Sequence, residues 1–272
     1  MQPIRKIYVN SSHRVSGTPA SFRYELPIDV NVGAKAHLAI TSISLPHTFY
    51  GVQAGLNNRL FVREVHPSNS ALSVNRILEL DSGDYSSSAL ANAISQKINS
   101  GALSGVSYVV SYSSVTLRLT VTQTGGGGVR VYADQDLKGL GPIGEAPIVS
   151  PQSLNAILNT PSFVAYNVSW VSGIVSIAQI TEVFIRSPEL AAGYSTLDPG
   201  GEMDCLRRVH IDRLFGEIVT TDHSCFSADL HDVSGRTIRS FSVQLTDSYG
   251  SLVQLDNIDW SFSISMVYGD FE

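Results

Sequence analysis

Lys35 to Leu45 reads Lys-Ala-His-Leu-Ala-Ile-Thr-Ser-Ile-Ser-Leu, and Pro46 follows. Apolar side chains at Ala36, Leu38 and Ile40, and again at Ile43 and Leu45, alternate with polar or small ones. A period of two returns side chains to one face of a strand, so this stretch predicts a half-buried β-strand. Pro46 has no N–H to give a ladder and closes it.

The same rhythm spreads outward in both directions. Ser21 to Leu26 (Ser-Phe-Arg-Tyr-Glu-Leu) alternates and is expected to stop at Pro27, and Ile4 to Tyr8 opens a short strand. Downstream, Arg59 to Val65 and Arg76 to Leu80 read as strands. Tyr108 to Tyr112 and Val115 to Thr122 read as a hairpin joined near Ser113 and Ser114. Gly125 to Gly128 is a hairpin tip leading into Val129 to Tyr132. Ile174 to Ile185, Cys205 to Ile211, Glu217 to Thr220, Arg236 to Leu245 and Ile258 to Tyr268 continue the series. One helix stands out. Asp84 to Ser87 supplies N-cap side chains, Leu90, Ala93, Ile94 and Ile98 follow at helical spacing, and Gly101 ends it. A shorter helical turn is expected over Gln152 to Leu158.

Many strands with turn signals between them predict a mainly all-β protein, a single jelly-roll β-sandwich. The helix and its neighbouring strands form a small α+β insertion. The expected division is 1–56 with 160–272 for the jelly roll and 57–159 for the insertion. No repeat of propeller or solenoid length is visible.

Charge sets the function class. Only 15% of the 272 residues are charged, against about 25% in an ordinary globular domain. Between Tyr85 and Thr181 the charges are Lys97, Arg118, Arg130, Asp134, Asp136, Lys138 and Glu145, and Ala146 to Thr181 has none. Pro147, Pro151 and Pro161 interrupt that last stretch, so it does not read as a membrane span, which needs about 20 continuous apolar residues. It is either buried strand or a face covered by a partner. A net charge of −6 argues against a nucleic-acid-binding domain, which shows a basic stripe. The one basic cluster is Arg5, Lys6 and Arg14. Cys205 and Cys225 do not form a disulfide framework and read as buried thiols. No secretory signal is visible at the start.

Signals for chemistry are weak, and the chain is expected not to be an enzyme, with no cofactor and no metal. Gly139 to Gly144 matches G-x-G-x-x-G, but Pro142 lies inside it and Pro147 and Pro151 follow. A dinucleotide fingerprint must open a helix, so the run reads as a connection. His210, Asp212, His223, Cys225, His231 and Asp232 fit no compact zinc spacing. Asp81, Asp84 and the Asp198 to Asp204 loop read as turn and cap residues before calcium ligands. Trp170 and Trp260 read as core.

Several segments carry a family resemblance. Ile7 to Arg14 (Ile-Tyr-Val-Asn-Ser-Ser-His-Arg), Gly17-Thr18 and Phe22 to Pro27 resemble the start of penton (minor capsid) proteins. These belong to virophages, polinton-like elements and related DNA viruses of the double-jelly-roll lineage. Ala36 to Tyr50 looks like their next strand and its proline exit. Leu78 to Tyr85 is similar to the turn that leads into their helix, and Phe241 to Asp247 with Asp259 to Phe262 resembles their closing strands. The resemblance implies a structural virion protein with one jelly roll. Homopentamers of it would close the five-fold vertices of an icosahedral capsid, beside the major capsid protein. It also implies assembly in the host cytoplasm or nucleus. The chain is short for the two-jelly-roll major capsid protein itself. On this view Arg5, Lys6 and Arg14 face packaged DNA or an adjacent subunit.

Two other readings remain open. A viral attachment module would bind a host glycan or receptor and expose aromatics around Tyr108, Tyr112 and Tyr132. An enzyme on a jelly-roll scaffold would gather His210, His223 and His231.

Overall fold

A computed structural model describes residues 4–137, 153–162, 167–177, 180–191, 204–222, 230–248 and 250–268. In chain order the elements begin with β1 (Ile4–Asn10), β2 (Ser16–Thr18), β3 (Ser21–Asn31), β4 (Ala36–Pro46), β5 (Arg59–Val65) and β6 (Val74–Glu79). They continue with α1 (Ser87–Asn99), β7 (Ser107–Ser113), β8 (Arg118–Thr124), β9 (Gly128–Val131), α2 (Asp134–Leu137), α3 (Asn155–Leu158) and β10 (Ser169–Ile174). Last come β11 (Glu182–Arg186), α4 (Pro188–Ala191), β12 (Cys205–His210), β13 (Ile218–Asp222), β14 (His231–Asp232), β15 (Thr237–Thr246) and β16 (Ser261–Tyr268).

The chain divides into two compact units, Met1–Phe49 with Ile180–Glu272, and Tyr50–Gln179. The expected joints at 56/57 and 159/160 fall inside the second unit. β10 is the reason for the later joint, because its ladder runs to β8 of that unit.

In the first unit the sheet orders are β1-β16-β4-β13 and β12-β11-β15-β3-β2, with β14 beside β4. Without the short β2 and β14, eight strands remain. Numbered along the chain, they run 1-8-3-6 in one sheet and 5-4-7-2 in the other, the double Greek key of a jelly roll. All ladders are antiparallel. One cluster of buried residues draws on both sheets, with Val9, Leu38, Ile43, Phe262 and Met266 from the first and Phe22, Val183, Leu206, Phe241 and Val243 from the second. Trp260 helps to join them. Its ring stacks on Phe262 at 5.1 Å, meets Phe22 edge-on at 6.2 Å, and donates Nε1–H to the Pro19 carbonyl.

Two local rules were broken in this unit. β3 runs through Pro27 instead of ending there. Its ladder jumps from Glu25↔Ser240 to Val30↔Ile238, so Pro27 lies in a bulge where no N–H is needed. In β4 the core set passes from Leu38 and Ile40 to Ile43 and Leu45 because Thr41 has no partner between Ser42↔Ser263 and Ile40↔Ile264. That extra residue restores the inward phase after a two-residue gap in the pattern.

The second unit has two three-stranded sheets, β10-β8-β7 and β6-β5-β9, with α1 packed on β7 and β6. Leu90, Ile94 and Ile98 of α1 are buried with Leu78, Leu119, Val121, Val131 and Trp170. Ser86 caps the helix by accepting from the Ala89 N–H. At the other end the Arg76 guanidinium donates to the carbonyls of Lys97, Ile98 and Ser100. It also pairs with Glu64, a fully buried carboxylate whose second oxygen accepts from the Leu103 N–H. Helix end, strands and loop thus share one charge network. The expected strand over Ile174 to Ile185 is instead the end of β10 and most of β11, with the joint between the units in the middle. Besides α1, the described residues hold three α-helices of four residues each, of which α3 covers the end of the expected 152–158 turn, and short 3-10 turns at Ser11–His13 and Ser70–Leu72.

A candidate assembly face

Each sheet of the jelly roll turns one side to the core and one away from it. On the β12-β11-β15-β3 sheet the side turned away is ionic. Arg239 pairs with Glu25 at 3.0 Å and Asp29 at 3.2 Å, and Glu182 meets Arg208 at 3.5 Å and His210 at 3.3 Å. Glu189 of α4 accepts from both the Ser242 N–H and hydroxyl. Burial pushes the Glu189 carboxyl up, but these hydrogen bonds and the nearby Arg23 outweigh it and hold the group below the usual carboxylate range. This is a solvated surface.

The β1-β16-β4-β13 sheet is different. Across it, one row reads Tyr8, Ser263, Ser42, Asp222, and the next reads Asn10, Ser261, Ser44, Thr220. Hydroxyls fill the middle of the sheet, those of Thr41, Ser263 and Ser265 buried and those of Ser42, Ser44 and Ser261 half-buried, and charge is confined to its rim. Thr41 binds Ser263 at 2.9 Å and Ser265 at 3.0 Å, and Ser42 binds Ser263 at 2.6 Å. A groove of about 380 Å³ runs over this surface, lined by Tyr8, Asn10, His13, Ser42, Ser44 and Ser261 above the core residues Val9, Ile43 and Phe262. Tyr8 is 73% exposed on one edge strand, while Ile218 is 55% and Leu214 75% exposed at the other. Leu214 sits on a turn held by five hydrogen bonds. His47 N–H donates to the Glu217 carbonyl, Gly216 N–H to His47, Glu217 N–H to Leu214, and Leu214 N–H to the Glu217 carboxylate, while the His47 ring bonds the Arg213 carbonyl. An apolar side chain presented by so fixed a turn is preorganised for contact. Sequence reading missed this element, although Leu214-Phe215 between Arg213 and Gly216 is the signal it leaves.

Among the described residues, those singled out for chemistry do not converge. His210 is exposed beside Glu182, Asp212 lies near Arg213, and His231 is buried with its Nε2 at 3.1 Å from the Leu206 carbonyl. The Asp232 carboxylate is held below its ordinary range by the Ser234 hydroxyl and N–H. His223, Cys225, the Gly139 to Gly144 run and positions 198–203 of the acidic loop lie outside the described residues. The last member of that loop, Asp204, pairs with Arg186 at 2.8 Å. Among the described residues no three His, Cys, Asp or Glu side chains could share a metal, and no helix is long and apolar enough to cross a membrane. Asp81 meets Lys97 at 3.4 Å and its carbonyl accepts from Tyr85. Cys205, Trp170 and Trp260 are buried.

The aromatics expected on a receptor-binding surface are largely inside. Tyr108 and Tyr132 are buried and Tyr112 is half-buried. Burial, opposed by a hydrogen bond with Gln123, pushes the Tyr108 phenol up to about 12. The charge-poor segment supplies buried strands, and its strands also have an exposed reverse side. Tyr108, Leu119, Val121 and Trp170 face the core of the second unit, while Val109, Ser111 and Val171 on the reverse of the same strands are exposed, with Arg118 as the charge on that side of β8. Of the basic trio, Arg14 is committed within the chain, to Asp259 at 2.7 Å and to the Ser11 and Gly17 carbonyls. Arg5 and Lys6 are exposed.

A jelly-roll sandwich carrying an α+β unit between its third and fourth main strands is the class this fold defines. No family model matches the chain, and no curated protein does. Among solved structures it is similar to the mavirus penton protein, with a TM-score of 0.53 and 13% identity over 97% of this chain and 99% of that one. The likeness is one of fold along the full length.

Proposed function

We propose that this chain is a non-enzymatic capsid subunit of the penton type, forming homopentamers at the five-fold vertices of an icosahedral virion. The observation that carries the reading is the contrast between the two sheets of one sandwich: one carries ion pairs on its outer side, while the other carries a groove of half-buried hydroxyls bordered by the exposed Tyr8, Leu214 and Ile218. Surfaces of the second kind gain by being covered, since no ion has to be dehydrated. The full-length likeness to a penton fold supports the same reading. The natural neighbours of such a ring are major capsid proteins, and its place is the capsid. A receptor-binding role has less support, because Tyr108 and Tyr132 are spent on the core. Electron microscopy of the purified chain tests the proposal. Five-fold rings are expected, and a uniform field of single particles at high concentration would reject it.

A further inference from the structure

Resting on that reading, we infer that neighbouring copies join edge to edge through the first sheet, with the β1 edge of one copy meeting the β13 edge of the next. The two edges are about 14 Å apart, three strand spacings, and they are chemically opposite. The β1 edge carries exposed Arg5 and Lys6, with Arg14 already balanced by Asp259. The β13 edge carries exposed Asp212, Glu217 and Asp222 against Arg213. One edge is net positive and the other net negative. Their apolar groups are likewise distinct: Tyr8 and the groove beside it on the first, Leu214 and Ile218 on the second.

Height along the strands matches too. Tyr8 and Asp222 lie in one row across the sheet, with Lys6 one outward step above Tyr8. Below that row, the β1 strand passes through Asn10 toward His13, and β13 passes through Thr220 toward Ile218 and the Leu214 turn. A copy placed beside another without being turned over sets Tyr8 opposite Asp222, with Lys6 diagonal to that carboxylate, and brings Leu214 to the lower end of the groove. Two unlike patches on one subunit make a heterologous contact, which repeats in one sense and forms a ring when the rotation between successive copies closes. Like edges repel, so the two-fold arrangement that would stop at a dimer is disfavoured. The occupant of the groove is therefore a second copy of this chain, not DNA and not a glycan.

Charge reversal tests it by light scattering on the purified full chain at low salt. One variant carries Arg5→Glu and Lys6→Glu, a second carries Asp212→Lys and Asp222→Lys, and a third carries all four changes. Each two-site variant is expected to associate roughly a hundredfold more weakly than the unaltered chain, and the four-site variant to recover to within about tenfold. Leu214→Ser should weaken rings at any salt concentration. Rings as tight in both two-site variants as in the unaltered chain would overturn the edge contact and leave the pentamer reading standing. Loss in both without recovery in the third overturns the charge pairing as well. An unaltered chain that never forms rings removes the pentamer reading first and this contact with it. Tight binding of neutral oligosaccharides to the groove of the single chain would overturn the assigned occupant.

Discussion

At the scale of residues, stability rests on a few buried polar groups that hydrophobic counting passes over. Glu64 is fully buried and is held by Arg76 and the Leu103 N–H. Removing one member of a buried pair strands the other, so Glu64→Gln should cost about 3 kcal/mol in chemical denaturation. Replacing both with apolar residues should cost less. Glu189 gives a pH signature. Its carboxyl lies below its ordinary value of 4.5 because Ser242 and Arg23 favour the charged form. Its stabilising effect is therefore complete above that value and is lost as the pH falls through the lower folded one. Glu189→Gln should flatten the acid limb of the stability curve and leave neutral stability changed by roughly 1 kcal/mol or less. An unchanged acid limb would show that the Ser242 contacts carry no weight.

At the scale of elements, the helix is the clearest match between sequence and structure. Its cap at Ser86, its buried Leu90, Ile94 and Ile98 and its end before Gly101 were all legible, because each is local. Ser86→Ala should cost about 1 kcal/mol by leaving the Ala89 N–H without its side-chain acceptor. Gly17 has φ +98, and a Cβ there would lie 2.1 Å from the Ser21 carbonyl oxygen. Gly17→Ala should therefore cost about 2 kcal/mol or more, by strain in the β2–β3 hairpin. What was not legible is non-local. Pro27 predicts a strand end, and only the bulge opposite Ser240 makes room for it. Ile174 to Ile185 has the right pattern for one strand, yet its first residue ends the β10 ladder and Glu182 to Ile185 belong to another, that of β11. β2 and β14 are too short to show a period at all. Of the assembly face, the shortage of charge was visible but its location was not. Which hydroxyls share a face depends on register across β1, β16, β4 and β13, and no stretch of sequence states that.

At the scale of the whole molecule, two units with separate cores, one built around Leu38, Phe241 and Phe262 and the other around Leu60, Ile94 and Trp170, share one chain. Core truncations should therefore report separately. Ile94→Ala should lower the stability of the second unit by about 3 kcal/mol and leave ring formation by the first intact, as read by mass at a temperature where both remain folded. On the proposed reading, the hydroxyl-rich sheet of the jelly roll, charged only at its edges, is covered by further copies. Native mass spectrometry of the purified chain across a concentration series measures this directly. A dominant species of five chains that gives way to single chains on dilution is expected. A single chain at every concentration would contradict that.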